Sequence, residues 1–414
     1  MCAALACVAT PAVGDSVRSG EWPLDAQHFA ADKVWATSRG TGVIVAVVDS
    51  GVSATHPDLS DQVLAGTSLL GDGGDGRTDT SSDSHGTAIA GIIAGTGGTA
   101  GSGMTGLAPQ AKILPVKVST GAQVAPSAVA QGIVWAADHG AQVINVSMGT
   151  ATPDPLLKQA VTYAMRKNAV LVASAGNQGS EGNPAMYPAA FPGVVSVSGI
   201  NSDGSFWTAS ESGNGVTLAA PASDIYSTND LDEYVHAEGT SYSAAYVSAT
   251  AALIRSRWPD LTEGQVVQRL IATTRNHRNQ PDAQLGYGAL DPLAAITADV
   301  RTTGADNPLL NRVGSQTAHG ATSSPDPLWA AAGVCAVLLG GSASIFALRR
   351  RRRQAGRTGE ASSVVAAGSA APPKGRTKDS GTRVPAPAKS ASTQPKSGQP
   401  RPARRTNAKG RKPS

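Results

Sequence analysis

The chain reads as an α/β protein built on a mainly parallel sheet with helices on both faces, followed by one membrane-spanning helix and a basic, coreless tail. Three observations predict this. From about residue 35 to 298, β-branched apolar runs alternate with helical patterns, the arrangement of a sheet covered on both sides. Leu328 to Leu348 is a charge-free apolar run of about 21 residues, enough for one helix to cross a bilayer. Residues 354–414 are rich in Pro, Ser, Ala, Lys and Arg with almost no large apolar side chains, so they cannot bury a core and are expected to be disordered.

The elements follow in order. Residues 1–13 are Ala-rich and apolar and resemble the end of a signal-peptide core, without the positively charged start that such a signal carries. Residues 14–34 read as a short lead-in to the 35–298 domain. Gly42 to Val48 is an unbroken apolar run, the signature of a strand buried on both faces. His85 to Gly95 reads as a helix with small residues on one face. Gly71 to Ser84 and Gly95 to Gly106 read as loops, the second flexible. Gln131 to His139 and Leu156 to Asn168 read as helices, Val143 to Val146 and Ala169 to Ala173 as strands. Ser241 to Arg257 is a long helical pattern. Residues 299–327 read as a polar linker.

The net charge of +4 conceals a segregation. Residues 349–414 hold 18 of the 34 Lys and Arg and 2 of the 30 Asp and Glu, a balance of +16, which leaves −12 on the remainder. Arg349 to Arg353 follow the apolar run at once, and a basic flank of this kind stays cytoplasmic. The tail is thus expected inside and the 35–298 domain outside, with the tail's charge suited to anionic lipid heads. No nucleic-acid partner is expected. Cys2, Cys7 and Cys335 are the only cysteines, which rules out a disulfide framework or a cysteine metal cluster in the domain.

Four stretches carry chemistry: Val47 to Val52, Ser84 to Thr87, Ser174 to Asn177 and Gly239 to Ala244. A serine hydroxyl needs an adjacent base to become a nucleophile. His85 suits that role because imidazole titrates nearest neutrality. Asp49, at the end of the buried strand, sits where a carboxylate would fix the imidazole tautomer, and open α/β sheets place functional groups at that end. Ser241 opens a helix whose first turn has unpaired N–H groups; one of these and the Asn177 side chain would hold an oxyanion. Taken singly, each residue has a bland reading as a turn or cap, but capping does not require all four in the order Asp, His, Asn, Ser. Asp72, Asp75, Asp79 and Asp83 are hard oxygen donors of the kind calcium takes, yet their spacing fits no specific calcium pattern. A solvated loop is the reading preferred, with calcium left as an unsupported option, no other metal and no required cofactor.

These residues resemble the subtilisin-like serine peptidases, whose triad order is Asp, His, Ser. The resemblance runs from about Trp35 to Ile296 and includes His56 to Leu59, Gly106 to Pro109, Ile113 to Val118, Val143 to Gly149 and Tyr187 to Ala189. It implies a subtilisin-like three-layer fold, catalysis by Asp49, His85 and Ser241, oxyanion stabilisation by Asn177, and pairing of substrate backbone with Ser147, Met148 and Gly149. The layout, with one C-terminal span and Gly288 to Ile296 closing the domain, is most similar to the mycosins, the membrane-anchored peptidases of actinobacterial type VII secretion. That implies protein or peptide substrates, secretion components as partners, and, as a rival reading, a mainly structural role in which proteolysis is dispensable. Two departures stand out. Ala245 occupies the position four residues after the serine where the family usually has Pro, and the domain lacks the cysteines of characterised mycosins.

Overall fold

Strand β1 (Ile44–Asp49) is the third of seven parallel strands in the computed structural model, which describes residues 13–311 apart from 99–101, 122 and 303. The others are β2 (Thr67–Ser68), β3 (Lys112–Lys117), β4 (Val143–Val146), β5 (Val170–Ser174), β6 (Val195–Ile200) and β7 (Leu218–Pro221), in the order β2-β3-β1-β4-β5-β6-β7. A separate antiparallel ribbon pairs β8 (Ile225–Thr228) with β9 (Tyr234–Ala237). The helices are α1 (Val13–Gly20), α2 (Ala31–Trp35), α3 (His85–Ala94), α4 (Pro126–Asp138), α5 (Pro155–Arg166), α6 (Thr240–Arg257), α7 (Glu263–Ala272) and α8 (Pro292–Thr297).

Side chains alternate between the faces of a strand, and here this divides the core in two. Val45, Val47, Val143, Val170 and Val172 pack with α3 and α6. Ala46, Val48, Ile144, Val146 and Leu171 pack with α4 and α5. Both faces are covered, so the strands read as continuous apolar runs rather than as alternation. Helix α6 is buried at every residue from Thr240 to Arg255. Small and apolar residues therefore run all round it instead of forming a stripe, because residues 240–255 have no wet face.

The expected α/β fold with a mainly parallel sheet is present. Element edges shift slightly. β1 starts at Ile44 and includes Asp49. α4 begins five residues before the expected Gln131, because Pro126 opens it; Pro has no N–H to lose at a first helical position. The packed body is wider than 35–298. Val17, Leu24, Phe29, Ala31 and Val34 of the lead-in lie in the core, and Phe29 meets Tyr246 edge-on at 5.5 Å between centroids. Beyond 298, Leu309 is buried and Asn307 Nδ2 donates to the Gly193 carbonyl at 2.8 Å. Apolar side chains in both flanks gain by leaving water, which composition alone hid. The Gly95 to Gly106 loop, where described, is tied down rather than loose: Thr96 N–H donates to Asp58 O, and Met104 N–H and the Tyr234 hydroxyl donate to Asp58 Oδ2.

Among the described residues no helix is long and apolar enough to cross a membrane. The 328–348 span, the basic tail, the three cysteines and all of the 1–13 leader but Val13 lie outside the described residues.

Candidate active site

The chain leaves β1 toward β3 and leaves β4 toward β5 on the other side. Such a reversal opens a crevice at the carboxyl ends of the two neighbouring strands. Asp49 ends β1, and Ser147 follows the last residue of β4. The crevice is a cleft of about 310 Å³ whose lining includes Asp49, His85, Ser147, Met148, Gly149, Asn177 and Ser241. All seven residues singled out in the sequence thus converge on one place.

Asp49 is fully buried. Its Oδ1 accepts from the Ser50 N–H and lies 2.8 Å from His85 Nδ1, while Oδ2 has no partner among the described residues. His85 is the first residue of α3. It is held there by Ser81, whose Oγ accepts from the His85 N–H, and by Ser50, whose Oγ accepts from the Gly86 N–H. A side chain at 86 could not be accommodated, since its Cβ would stand 2.0 Å from the Gly51 carbonyl oxygen. Burial disfavours a charged imidazole, but the charge and hydrogen bond of Asp49, reinforced by Asp83 and Asp79, raise its pKa to about 9.

Ser241 lies in the first turn of α6, where no preceding helical carbonyl takes its N–H. Its hydroxyl donates to the Ser147 carbonyl at 3.0 Å, and the Ser147 hydroxyl donates to the Ser241 carbonyl at 3.0 Å. No hydrogen bond joins Ser241 to His85 in this resting arrangement, so the hydroxyl must turn away from Ser147 to reach the imidazole. Such bonds commonly tighten only on substrate binding. Ala245 sits inside the unbroken helix α6, and its N–H is one that an α-helix directs at the Ser241 carbonyl; a Pro there would remove that donor.

Asn177 Oδ1 accepts from the Thr240 N–H at 2.9 Å and from the Thr240 hydroxyl at 2.8 Å. That fixes the amide with Nδ2 as the free end, and Asn177 lines the cleft. The Ser147 to Gly149 segment borders the cleft and is anchored beyond it by the mutual Thr150–Tyr187 backbone bonds at 3.0 and 2.8 Å.

The supporting roles of several residues escaped the sequence reading. Thr240 orients Asn177 from 63 positions away. Asn145 donates to the Ser147 hydroxyl and accepts from Ser248. Asp79 accepts from the backbone N–H and hydroxyl of both Ser81 and Thr87, so it braces the start of α3. Asp72 and Asp75 accept from local turn amides of Gly74 and Arg77. Among the described residues no three carboxylates, imidazoles or thiols gather as a metal group. The short spacing from Asp79 to Thr87 was the only sequence signal available for any of these.

The profile of the subtilase family, Peptidase S8, matches residues 40–288. The chain belongs to the subtilase family. Its matched segment is a serine-type endopeptidase domain of the subtilisin kind. It is 37% identical over 259 residues to subtilisin DY of Bacillus licheniformis, covering 61% of this chain and 92% of that one. It is 34% identical over 322 residues to fervidolysin of Fervidobacterium pennivorans, covering 70% of this chain but only 46% of fervidolysin's length. Mycosins are among its structural neighbours. MycP1 from Mycobacterium smegmatis superposes with a TM-score of 0.60 at 30% identity, covering 69% of this chain and 87% of that one. The MycP3 protease of the type VII (ESX-3) secretion system gives 0.56 at 34%, covering 66% and 87%.

Proposed function

We propose that the chain is a serine endopeptidase, tethered to the cytoplasmic membrane by Leu328 to Leu348, that cuts protein or peptide substrates on the outer side. The observation that carries the reading is the Asp49–His85 pair at 2.8 Å in one cleft with Ser241 and Asn177. Substrate backbone lies along Ser147 to Gly149, as extended peptides do on a free strand edge. Ser241 Oγ turns from the Ser147 carbonyl to His85 Nε2, gives up its proton and attacks the scissile carbonyl. Asp49 holds Nδ1–H and stabilises the imidazolium that results. The oxyanion is met by Asn177 Nδ2 and the Ser241 N–H, two donors fixed before reaction. His85 then protonates the leaving amine, and water hydrolyses the acyl-enzyme by the same proton route. Each step is carried by a side chain or backbone group named here, so the reading invokes no cofactor.

The test is labelling of membranes with a fluorophosphonate probe. Labelling of the exported native protein that vanishes in Ser241→Ala supports the assignment. Substantial peptidase activity in that variant sinks it.

A second reading is favoured by the mycosin neighbours, one of which, MycP1, is described as an essential component of the type VII (ESX-1) secretion system. In this reading the chain associates with type VII secretion components mainly as a structural part. Secretion would then survive Ser241→Ala but not loss of Leu328 to Leu348.

A further inference from the structure

Behind the Gly176–Asn177 segment lies an acid that the mechanism does not use. The Glu211 side chain is 3% exposed, and neither carboxyl oxygen has a hydrogen-bond partner among the described residues. Its backbone N–H donates to the Gly176 carbonyl at 3.0 Å, and Gly179 N–H donates to the neighbouring Ala209 carbonyl at 2.9 Å. The carboxyl rests on the Cα of Gly176: a Cβ there would stand 2.3 Å from Oε2 and 2.5 Å from Oε1. Thr240 grips the same segment, its hydroxyl accepting from the Gly176 N–H at 3.1 Å and donating to Asn177 Oδ1. The arm that aims the Asn177 amide is therefore clamped between the Thr240 hydroxyl and the Glu211 carboxyl.

We infer that Glu211 is a positioning residue of this oxyanion arm and that it works in its protonated form. An ionised carboxylate without a partner is strongly disfavoured in such a place. Burial accordingly raises the group to about 7, against the pull of the Gln178 and Glu211 amides, which lie near it but outside hydrogen-bond geometry. No neighbouring charge contributes to that rise; the titratable groups of the adjoining cleft are Asp49, Asp83, His85, Glu238 and Tyr242. None of them bonds to the carboxyl. When Glu211 loses its proton, negative charge appears directly behind the donors that must meet a negative oxygen, and the arm is pushed from its seat. Both effects weaken oxyanion binding and leave ground-state substrate binding nearly intact.

This rests on the reading of Asn177 as oxyanion donor. The test compares the full-length native enzyme with Glu211→Gln, Glu211→Ala and Asn177→Ala, using a peptide anilide substrate and a peptide boronate whose tetrahedral anion occupies the oxyanion site. The ratio of kcat for Glu211→Gln to native cancels the His85 ionisation. It should stay near one below pH 6 and rise several-fold through pH 7. Glu211→Ala, which empties the space behind Gly176, should lose about 10- to 100-fold in kcat and boronate affinity with little change in KM, as small misplacements of a reacting arm do. A flat ratio across pH 6–9, or a Glu211→Ala loss confined to thermal stability or KM, overturns the inference. If Asn177→Ala itself loses less than tenfold in kcat, the oxyanion assignment has failed. If it loses about 10² or more while the Glu211 variants match native, only the role of Glu211 falls.

Discussion

Asp49→Asn is the most incisive perturbation of the cleft. In the native protein the Asp49 carboxylate accepts from His85 Nδ1 and from the Ser50 N–H, each at 2.8 Å, in a fully buried position. Its charge and hydrogen bond are the main causes that carry His85, against burial, from the ordinary 6.5 to about 9. A shift of roughly 2.5 units corresponds to about 3 kcal/mol of preference for the imidazolium. In the proposed mechanism the imidazolium forms in the transition state for Ser241 attack, so loss of that preference alone lowers kcat by on the order of 10². An amide also favours the wrong tautomer, which extends the loss toward about 10⁴. The direct assay is an NMR titration of His85 in Ser241→Ala and in Ser241→Ala/Asp49→Asn, with kcat measured separately for Asp49→Asn. His85 should titrate near 9 in the first protein and more than two units lower in the second. The linkage has a definite sign. A raised imidazole value contributes stability that is complete below about 6.5 and lost as pH rises through about 9. The melting temperature of the native protein should therefore decline across that window relative to Asp49→Asn. His85 titrating near 6.5 with Asp49 intact, or an Asp49→Asn enzyme within tenfold of native, refutes the argument.

Three further outcomes follow from the packing. Glu21 is buried, accepts from the Thr105 N–H, and is raised to about 8 by burial against the pull of Arg18; a raised carboxyl loses its stabilising effect as pH climbs through that value, so Glu21→Gln should melt higher than native above pH 8 and equally below pH 5 in calorimetry. Gly176→Ala places a methyl 2.3 Å from the Glu211 carboxyl at a backbone φ of +117°, so kcat should fall by about 10² or more, with part of the loss recovered when Glu211→Ala is added in a double-mutant cycle. Phe29→Ala removes a lead-in side chain that is 3% exposed in the core and should cost about 3–5 kcal/mol in denaturant unfolding; a cost below about 1 kcal/mol would show that residues 13–34 are not part of the folded unit.

Much of the site was legible because its signals are local. Asp49 follows a β-branched run, His85 opens a small-residue helix, and Ser241 follows a Gly-Thr turn, so each advertises its position through neighbours a few residues away. The Ser147 to Gly149 segment was found through resemblance, and the structure places it on the cleft wall. The clamps were not legible. Thr240 and Asn177 are 63 residues apart, and Glu211 lies 35 residues beyond the glycine it backs. In the sequence Glu211 stands between two serines beside a Gly-rich stretch, with no local pattern that marks it as buried. Asp79 looked like one more loop acid, yet it is buried and braces α3.

The sequence by itself determined the class of fold, the strand that carries Asp49 at its end, the helices whose first turns hold His85 and Ser241, and the order of the chemical groups. These follow from period, propensity and turn chemistry, which act over a handful of residues. Only the tertiary structure decided the width of the packed body, the burial of Glu21 and Glu211, the hold of Thr240 on Asn177, and the resting bond of Ser241 to Ser147. Each of those depends on which distant segments meet and on how completely they exclude water. Contact across the fold, rather than local pattern, sets burial and decides which charges meet, and these together set the proton affinity of His85 and Glu211.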